Sequence, residues 1–237
     1  MSPSPGIQIT WLGHSTFRIV SARGKTVVID PWLANNPACP PAMKTLRGLD
    51  LMVLTHGHFD HFEDAVSLAR DLKPKVVANF EICQHLEMEG VTGTCPMNKG
   101  GTQEVEGIRV TMVAASHSSS IRSGDRILPG GEAAGYVLEF ENGFKIYDAG
   151  DTSVFGDMKL IAELYRPDLT LLPIGDLFTM GPKEAALACR LMRPRRVIPM
   201  HYGTFPPLTG TPAALRELTR DLPETEIIDL KPGETWS

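Results

Sequence analysis

The run Thr55-His56-Gly57-His58-Phe59-Asp60-His61 constrains this chain more than any other stretch. Three imidazoles and a carboxylate fall within six residues, directly after the apolar segment 51–54, which reads as a buried strand. A strand end is a rigid base. His56 and His58, two apart, project the same way from extended backbone. Asp60 and His61 then turn into a helix and face a second point, so one stretch supplies half the ligands of two adjacent metals. Neutral imidazoles and carboxylates suit Zn²⁺, Mn²⁺ or Fe²⁺. The alternative is a chance cluster on a solvated loop, which a chain with only seven histidines rarely produces.

Three further donors each sit just after an apolar strand. His117 follows residues 110–115, Asp151 follows the strand 144–147 and its exit Asp148-Ala149-Gly150, and His201 follows residues 197–200. Taken singly, each reads as an ordinary hydrogen-bonded residue. Taken with the first cluster, they complete a set of seven. His56, His58 and His117 would hold one metal, and Asp60, His61 and His201 the other. Asp151, with two carboxylate oxygens, would bridge both. Such a division leaves positions for water or substrate on each ion.

Composition narrows the class. A chain of 237 residues with 42% apolar content can bury a substantial core, and no linker separates independent domains. We read one domain, 1–237, in two pseudo-equivalent halves, roughly 1–125 and 126–237. The net charge is −5 and the densest basic cluster is Arg193-Pro194-Arg195-Arg196, so no strong nucleic-acid binding is expected. No segment approaches 18 consecutive apolar residues, and residues 1–6 carry neither a basic nor an apolar export region. Four cysteines without CxxC spacing read as free thiols in a reducing compartment, which places the protein in the cytoplasm. Two disulfides in a secreted protein are the other arrangement. Association into a homo-oligomer is compatible with this composition.

The periodicity predicts strands over 7–10, 16–20, 26–29 and 49–54, then one helix over 61–72 with Glu63 and Asp64 in its dipole-favoured first turn. A strand follows at 75–78, a helix at 80–89 and a hairpin over 103–113 around Gly107. Residues 116–131 read as a polar, Gly-rich loop. In the second half, strands at 134–140 and 144–147 pair across Glu141-Asn142-Gly143. Helices at 158–165, 182–192 and 212–220 then alternate with strands at 169–173, 197–199 and 226–230. Strands leading and helices following in each half favour two sheets sandwiched between helices.

With these motifs in place, the chain resembles a known family. His56-Gly57-His58-Phe59-Asp60-His61, His117, Gly150-Asp151-Thr152 and Met200-His201-Tyr202 resemble the metallo-β-lactamase superfamily in its dinuclear hydrolase form. Trp11-Leu12-Gly13-His14-Ser15-Thr16-Phe17, residues 27–31, Pro173-Ile174-Gly175-Asp176 and residues 178–181 are similar to a metal-dependent hydrolase subgroup akin to L-ascorbate-6-phosphate lactonases. Leu177 stands where that subgroup carries Asn. The resemblance implies an α/β (α+β) four-layer αββα sandwich, with metals in a groove between the sheets. It implies that Asp30 orients a ligand imidazole from behind, a plain turn at Asp30-Pro31 being the alternative. It also implies that His14 reaches the site edge as a catalytic hydrogen-bond donor, a satisfied structural histidine being the alternative. His85, on a helix with no motif around it, reads as surface.

The expected chemistry is hydrolysis: a metal-activated hydroxide attacks an ester-like centre in a lactone, phosphoester or related small molecule. Asp60 would pass the proton to the leaving group. Phe178 and Met180 are candidates for the wall of the substrate cleft; Arg122, Arg126 and Lys183 are candidates to pair with a phosphate or carboxylate there, three solvated surface charges being the alternative. Two divalent ions are implied, Zn²⁺ first, with Mn²⁺, Fe²⁺ or Ni²⁺ fitting the same donors. Three rivals share parts of this pattern. A phosphodiesterase or nuclease would add a basic exosite. A di-iron oxidoreductase usually has an acid where His58 stands. A non-catalytic metal sensor would bind ions and hydrolyse nothing.

Overall fold

Alternation along the strands sorts this chain into four layers in the computed structural model, which describes residues 6–237. Residues 1–5, where an export signal was sought, lie outside the described residues. The chain opens with an antiparallel meander, β1 (Gln8–Trp11), β2 (Phe17–Val20) and β3 (Thr26–Ile29). Three strands then add in parallel: β4 (Leu51–Val53), β5 (Lys75–Asn79) and β6 (Thr94–Met97). Helices α1 (Phe59–Phe62) and α2 (Ala65–Leu72) connect β4 to β5, and α3 (Phe80–Met88) connects β5 to β6. Parallel neighbours require such crossovers.

The second half repeats the plan. Strands β7 (Thr102–Val105) and β8 (Ile108–Ala114) form a hairpin, and a separate hairpin of β9 (Ser120–Ser123) and β10 (Arg126–Pro129) follows. Next come β11 (Ala134–Glu139) and β12 (Lys145–Asp148), antiparallel to each other. Then α4 (Met158–Tyr165), β13 (Leu169–Pro173), α5 (Pro182–Met192), β14 (Arg196–Met200), α6 (Pro212–Leu218) and β15 (Glu226–Ile227) extend the sheet in parallel. The terminal strand β16 (Thr235–Trp236) returns to pair with β1. The two seven-stranded sheets are ordered β16-β1-β2-β3-β4-β5-β6 and β15-β14-β13-β12-β11-β8-β7. The passage between sheets lies between Met97 and Thr102.

Side-chain alternation fixes which face each strand buries. Leu51, Val53 and Val77 join Ile146, Leu171 and Ile198 in the layer between the sheets. Their neighbours Met52, Val76 and Ala78 instead pack on the helices of the first half. Tyr147, Leu172 and Val197 pack on α4 and α5 with Ile161, Ala185 and Cys189. Both faces of the central parallel strands β4, β5, β13 and β14 are covered, which is why these strands read as continuous apolar runs. Each fully buried Val, Leu or Ile contributes about 1.5–3 kcal/mol. Three helices end alike: Lys73, Arg166 and Arg193 adopt left-handed backbone, and Pro74, Pro167 and Pro194 follow. Proline cannot continue the helix.

The structure corrects four expectations. The helix expected over 61–72 is two helices, because Asp64 is engaged elsewhere. Its carboxylate accepts from Leu33 N and Ala34 N, and its own N–H donates to Pro31 O. Glu63 likewise accepts from Trp32 Nε1, so both acids anchor the Pro-rich loop rather than serving a helix dipole. Residues 116–131 contain the β9–β10 hairpin, whose Ile121 is buried beside α2 and α3. The edge strands β6 and β16 were not legible, being short and, for β6, broken by Pro96.

Candidate metal centre

The candidate ligands meet at one edge of the interface between the sheets, each carried there by a strand end. β4 delivers His56 and His58 and leads into α1, whose first turn holds Asp60 and His61. β8, β12 and β14 deliver His117, Asp151 and His201. The loops are tied together: Ala134 N–H donates to Thr55 O across the two sheets, and Ser116 N–H donates to Thr152 Oγ1 within the second sheet's loops. Gly57 fits between His56 and His58 because a Cβ there would meet Ile121 Cγ1 at 2.7 Å and Ser120 O at 2.9 Å.

Two of the three donor groups that result among the described residues carry the expected ligands, the third joining Asp30 to His56 and His61. His56, His58 and His117 offer ligand atoms within 4.8 Å of one another, and Asp60, His61 and His201, with His14, form the second such group. His56 Nε2 and His58 Nδ1 lie 3.0 Å apart. Asp151 stands between the groups. Its Oδ2 is 3.0 Å from His201 Nε2, 3.3 Å from His61 Nε2, 3.7 Å from His117 Nε2 and 3.9 Å from His56 Nε2.

Divalent cations fit this donor set. Asp151 Oδ1, His61 Nε2 and both ring nitrogens of His201 are buried without a hydrogen-bond partner. Each such orphan costs about 1–3 kcal/mol. Here several converge on common points, as the donors of a coordination sphere do.

Behind the donors, Asp30 organises two imidazoles. It accepts from Thr55 N at 2.8 Å, Thr55 Oγ1 at 2.5 Å and His61 Nδ1 at 2.7 Å. His61 is thereby fixed with Nε2 toward the cluster. The Thr55 hydroxyl gives its proton to Asp30, so its oxygen accepts from His56 Nδ1 at 3.0 Å and leaves His56 Nε2 free for a metal. Thr55 was missed as a functional residue, although it directly precedes His56 in the motif.

The electrostatics follow the same contacts. Burial alone would lower His61, but the Asp151 and Asp30 carboxylates outweigh it and hold the imidazole well above its ordinary range. A metal would therefore displace a proton at Nε2. Burial pushes the Asp151 carboxyl up, and the neighbouring His201 and His61 reverse this to well below the usual range. Burial dominates at His56, His58 and His117, favouring the neutral, metal-binding imidazole. His14 is lowered to about 4, chiefly by burial. For Asp60, burial raises the carboxyl, but the His14 hydrogen bond and His61 bring it below the carboxylate range.

A cleft of about 500 Å³ opens over the donors, lined among others by Phe59, Arg122, Ile127, Phe178 and Phe205. Phe59, Ile127 and Phe178 are more than half exposed, an unusual disposition for large apolar side chains that a ligand would cover. Of the residues expected here, Arg122 and Phe178 line the cleft. Arg126 does not: strand alternation turns Ile127 inward in its place. Met180 lies in the core beneath, 1% exposed and packed with the α4–α5 cluster, and Lys183 is not among the lining residues. A separate groove of about 630 Å³ between α4 and α5 contains none of the candidate ligands.

Residues 25–202 match the family described as Beta-lactamase superfamily domain. A protein of Solibacter usitatus named UPF0173 metal-dependent hydrolase is 55% identical over 228 residues, 96% of this chain and 98% of its own. A protein of the same family from Koribacter versatilis is 52% identical over 232 residues, 98% of each chain. Among solved structures, Igni18, described as a novel metallo hydrolase from the archaeon Ignicoccus hospitalis, is 34% identical with a TM-score of 0.84 and covers 97% of both chains.

Proposed function

This chain belongs to the Beta-lactamase superfamily and, within it, to the UPF0173 metal-dependent hydrolases, and from that premise we propose that it hydrolyses an ester-like bond in a small molecule using two divalent cations. The observation that carries the two-cation reading is the single Asp151 oxygen within 3.9 Å of four imidazole nitrogens drawn from both donor groups. His56 Nε2, His58 Nδ1 and His117 Nε2 would hold one ion. Asp60, His61 Nε2 and His201 Nε2 would hold the other, with Asp151 shared. Five imidazoles and two carboxylates suit Zn²⁺ first.

When bound, such cations supply Lewis acidity that lowers the pKa of water toward neutrality and polarises a carbonyl or phosphoryl oxygen. The chain's own residues do the rest. Asp60, partly open to the cleft with 15% of its side chain exposed, receives the proton of the attacking water and returns it to the leaving oxygen. Phe59, Ile127, Phe178 and Phe205 shield the reacting bond and hold the apolar part of the substrate. Arg122, the one Lys or Arg lining the cleft among the described residues, pairs with an anionic oxygen. One cation is too few for nucleic acid, whose affinity scales with neutralised phosphates. The four cysteines are unpaired, in keeping with a reducing compartment such as the cytoplasm. No helix among the described residues is long and apolar enough to cross a membrane.

The test is metal content per chain, by inductively coupled plasma mass spectrometry, on wild type and His58→Ala, beside a panel of lactones, including ascorbate-6-phosphate lactone, and phosphodiesters. Two ions in wild type, one or fewer in the variant and a matching loss of turnover support the reading. Protein that takes up no metal on reconstitution overturns it. Two ions with no turnover overturn the hydrolytic part alone.

A further inference from the structure

Among the three imidazoles of the second group, His14 differs from the other two in one respect. His61 Nε2 and His201 Nε2 have no hydrogen-bond partner, whereas both ring nitrogens of His14 are engaged. Nε2 lies 2.9 Å from Asp60 Oδ2, and Nδ1 lies 3.0 Å from Thr204 Oγ1. A neutral ring protonated at Nε2 satisfies both contacts: it donates to the Asp60 carboxylate and accepts from the Thr204 hydroxyl. An imidazole so placed has its one ring-nitrogen lone pair, on Nδ1, engaged by Thr204, and its Nε2 carries a proton instead.

The backbone of His14 makes a second connection. Its carbonyl accepts from His201 N at 3.0 Å and from Trp11 Nε1 at 2.9 Å. The residue holds a left-handed φ of +57°, as does His201, and is completely buried. It sits in the turn between β1 and β2, on the sheet opposite the strand that carries His201. One residue therefore grips two ligands, Asp60 through its ring and His201 through its carbonyl. Neither grip touches His56, His58 or His117.

We propose that His14 is a positioning residue for one ion only: it holds Asp60 and His201 in register, and is not itself a ligand. The inference rests on reading Asp60, His61 and His201 as the ligands of one ion. Side chains that orient metal ligands are worth about 10–100-fold in affinity. The ring and backbone contributions can be separated because they favour opposite substitutions. Asn tolerates left-handed backbone well, but its amide reaches only as far as Nδ1 and loses Asp60. Gln tolerates that backbone less well, but its amide nitrogen reaches the place of Nε2 and can donate to Asp60.

The experiment compares His14→Asn and His14→Gln with wild type by chelator competition with Zn²⁺, together with thermal unfolding of the metal-free proteins. The expected result is that His14→Asn weakens one ion by at least about tenfold and spares the other, while His14→Gln stays within about threefold of wild type. The metal-free melting temperatures should rank the other way, Asn above Gln. Equal weakening by both variants overturns the proposal in favour of a ligand. Unchanged affinity in His14→Asn overturns it outright, and so does loss of both ions in proportion to lost stability. If wild type binds a single ion, the two-cation reading fails, and the same Asn-against-Gln order on that ion still decides the role of His14.

Discussion

Asp30 grips His61 from behind: its Oδ2 accepts from the imidazole Nδ1 at 2.7 Å, with both residues buried. This one bond sets the ring's tautomer and aims Nε2 at the cluster. Removing the acid in Asp30→Ala would also strand two Thr55 donors. We expect affinity for one ion to fall about 10–100-fold and metal-free stability to fall by about 3 kcal/mol or more. Chelator competition and urea unfolding measure the two effects. Unchanged metal affinity would reduce Asp30 to a turn residue.

Arg122 and Phe178 face the cleft without ligating anything. Their loss should weaken substrate and transition state alike, raising KM with little change in kcat. For a substrate with an anionic group, Arg122→Gln should raise KM about tenfold and leave a neutral analogue unaffected; Phe178→Ala should raise KM for both. Steady-state kinetics on whichever panel member is turned over provides the check. A fall in kcat alone would place Arg122 in the chemical step.

Gly57 is a steric requirement. A methyl group there meets Ile121 and Ser120 on β9, and backbone or hairpin must move. Gly57→Ala should cost about 1–3 kcal/mol, as overpacking does, and weaken the ion held by His56, His58 and His117 before the other. A crystal structure or metal titration of the variant would reveal an undisturbed hairpin if this is mistaken.

The buried thiols give a pH prediction. Burial pushes Cys83 and Cys189 up to about 12, against about 8.5 in an unfolded chain. A group raised on folding contributes stability that is complete below its unfolded value and is lost as pH rises through the folded one. Metal-free protein should therefore lose up to about 1.4 kcal/mol per pH unit per thiol between pH 8.5 and 12. Cys83→Ala with Cys189→Ala should flatten that slope in chemical unfolding. Rapid labelling of both thiols in the folded protein at pH 8 would contradict it.

Much of this was legible because local pattern and tertiary role coincide. The helix over 158–165, the strand over 169–173 and the helix over 182–192 match the structure at both ends. Each joins one regular period to a strong boundary, Pro167 or Pro194 after a helix and Pro182 at the start of one. The helix expected over 61–72 failed because Asp64 and Glu63 serve partners near residue 33, which no local window contains. The β9–β10 hairpin was missed because its strands are four residues each and carry few core residues, Ile121 and the partly buried Leu128.

The sequence by itself determined the layered αββα plan and the candidate ligands, since a donor at the end of an apolar run is written in the chain's own periodicity. Only the tertiary structure decided which atom of each donor meets which partner. Asp151 reaches both groups, Thr55 fixes the tautomer of His56, and His14 spends both its nitrogens on Asp60 and Thr204. The physical reason is that a donor's role depends on which of its atoms lacks a partner. For every pair but Thr55 and His56, that is settled by residues dozens to hundreds of positions away, brought close only when the sheets form and pack.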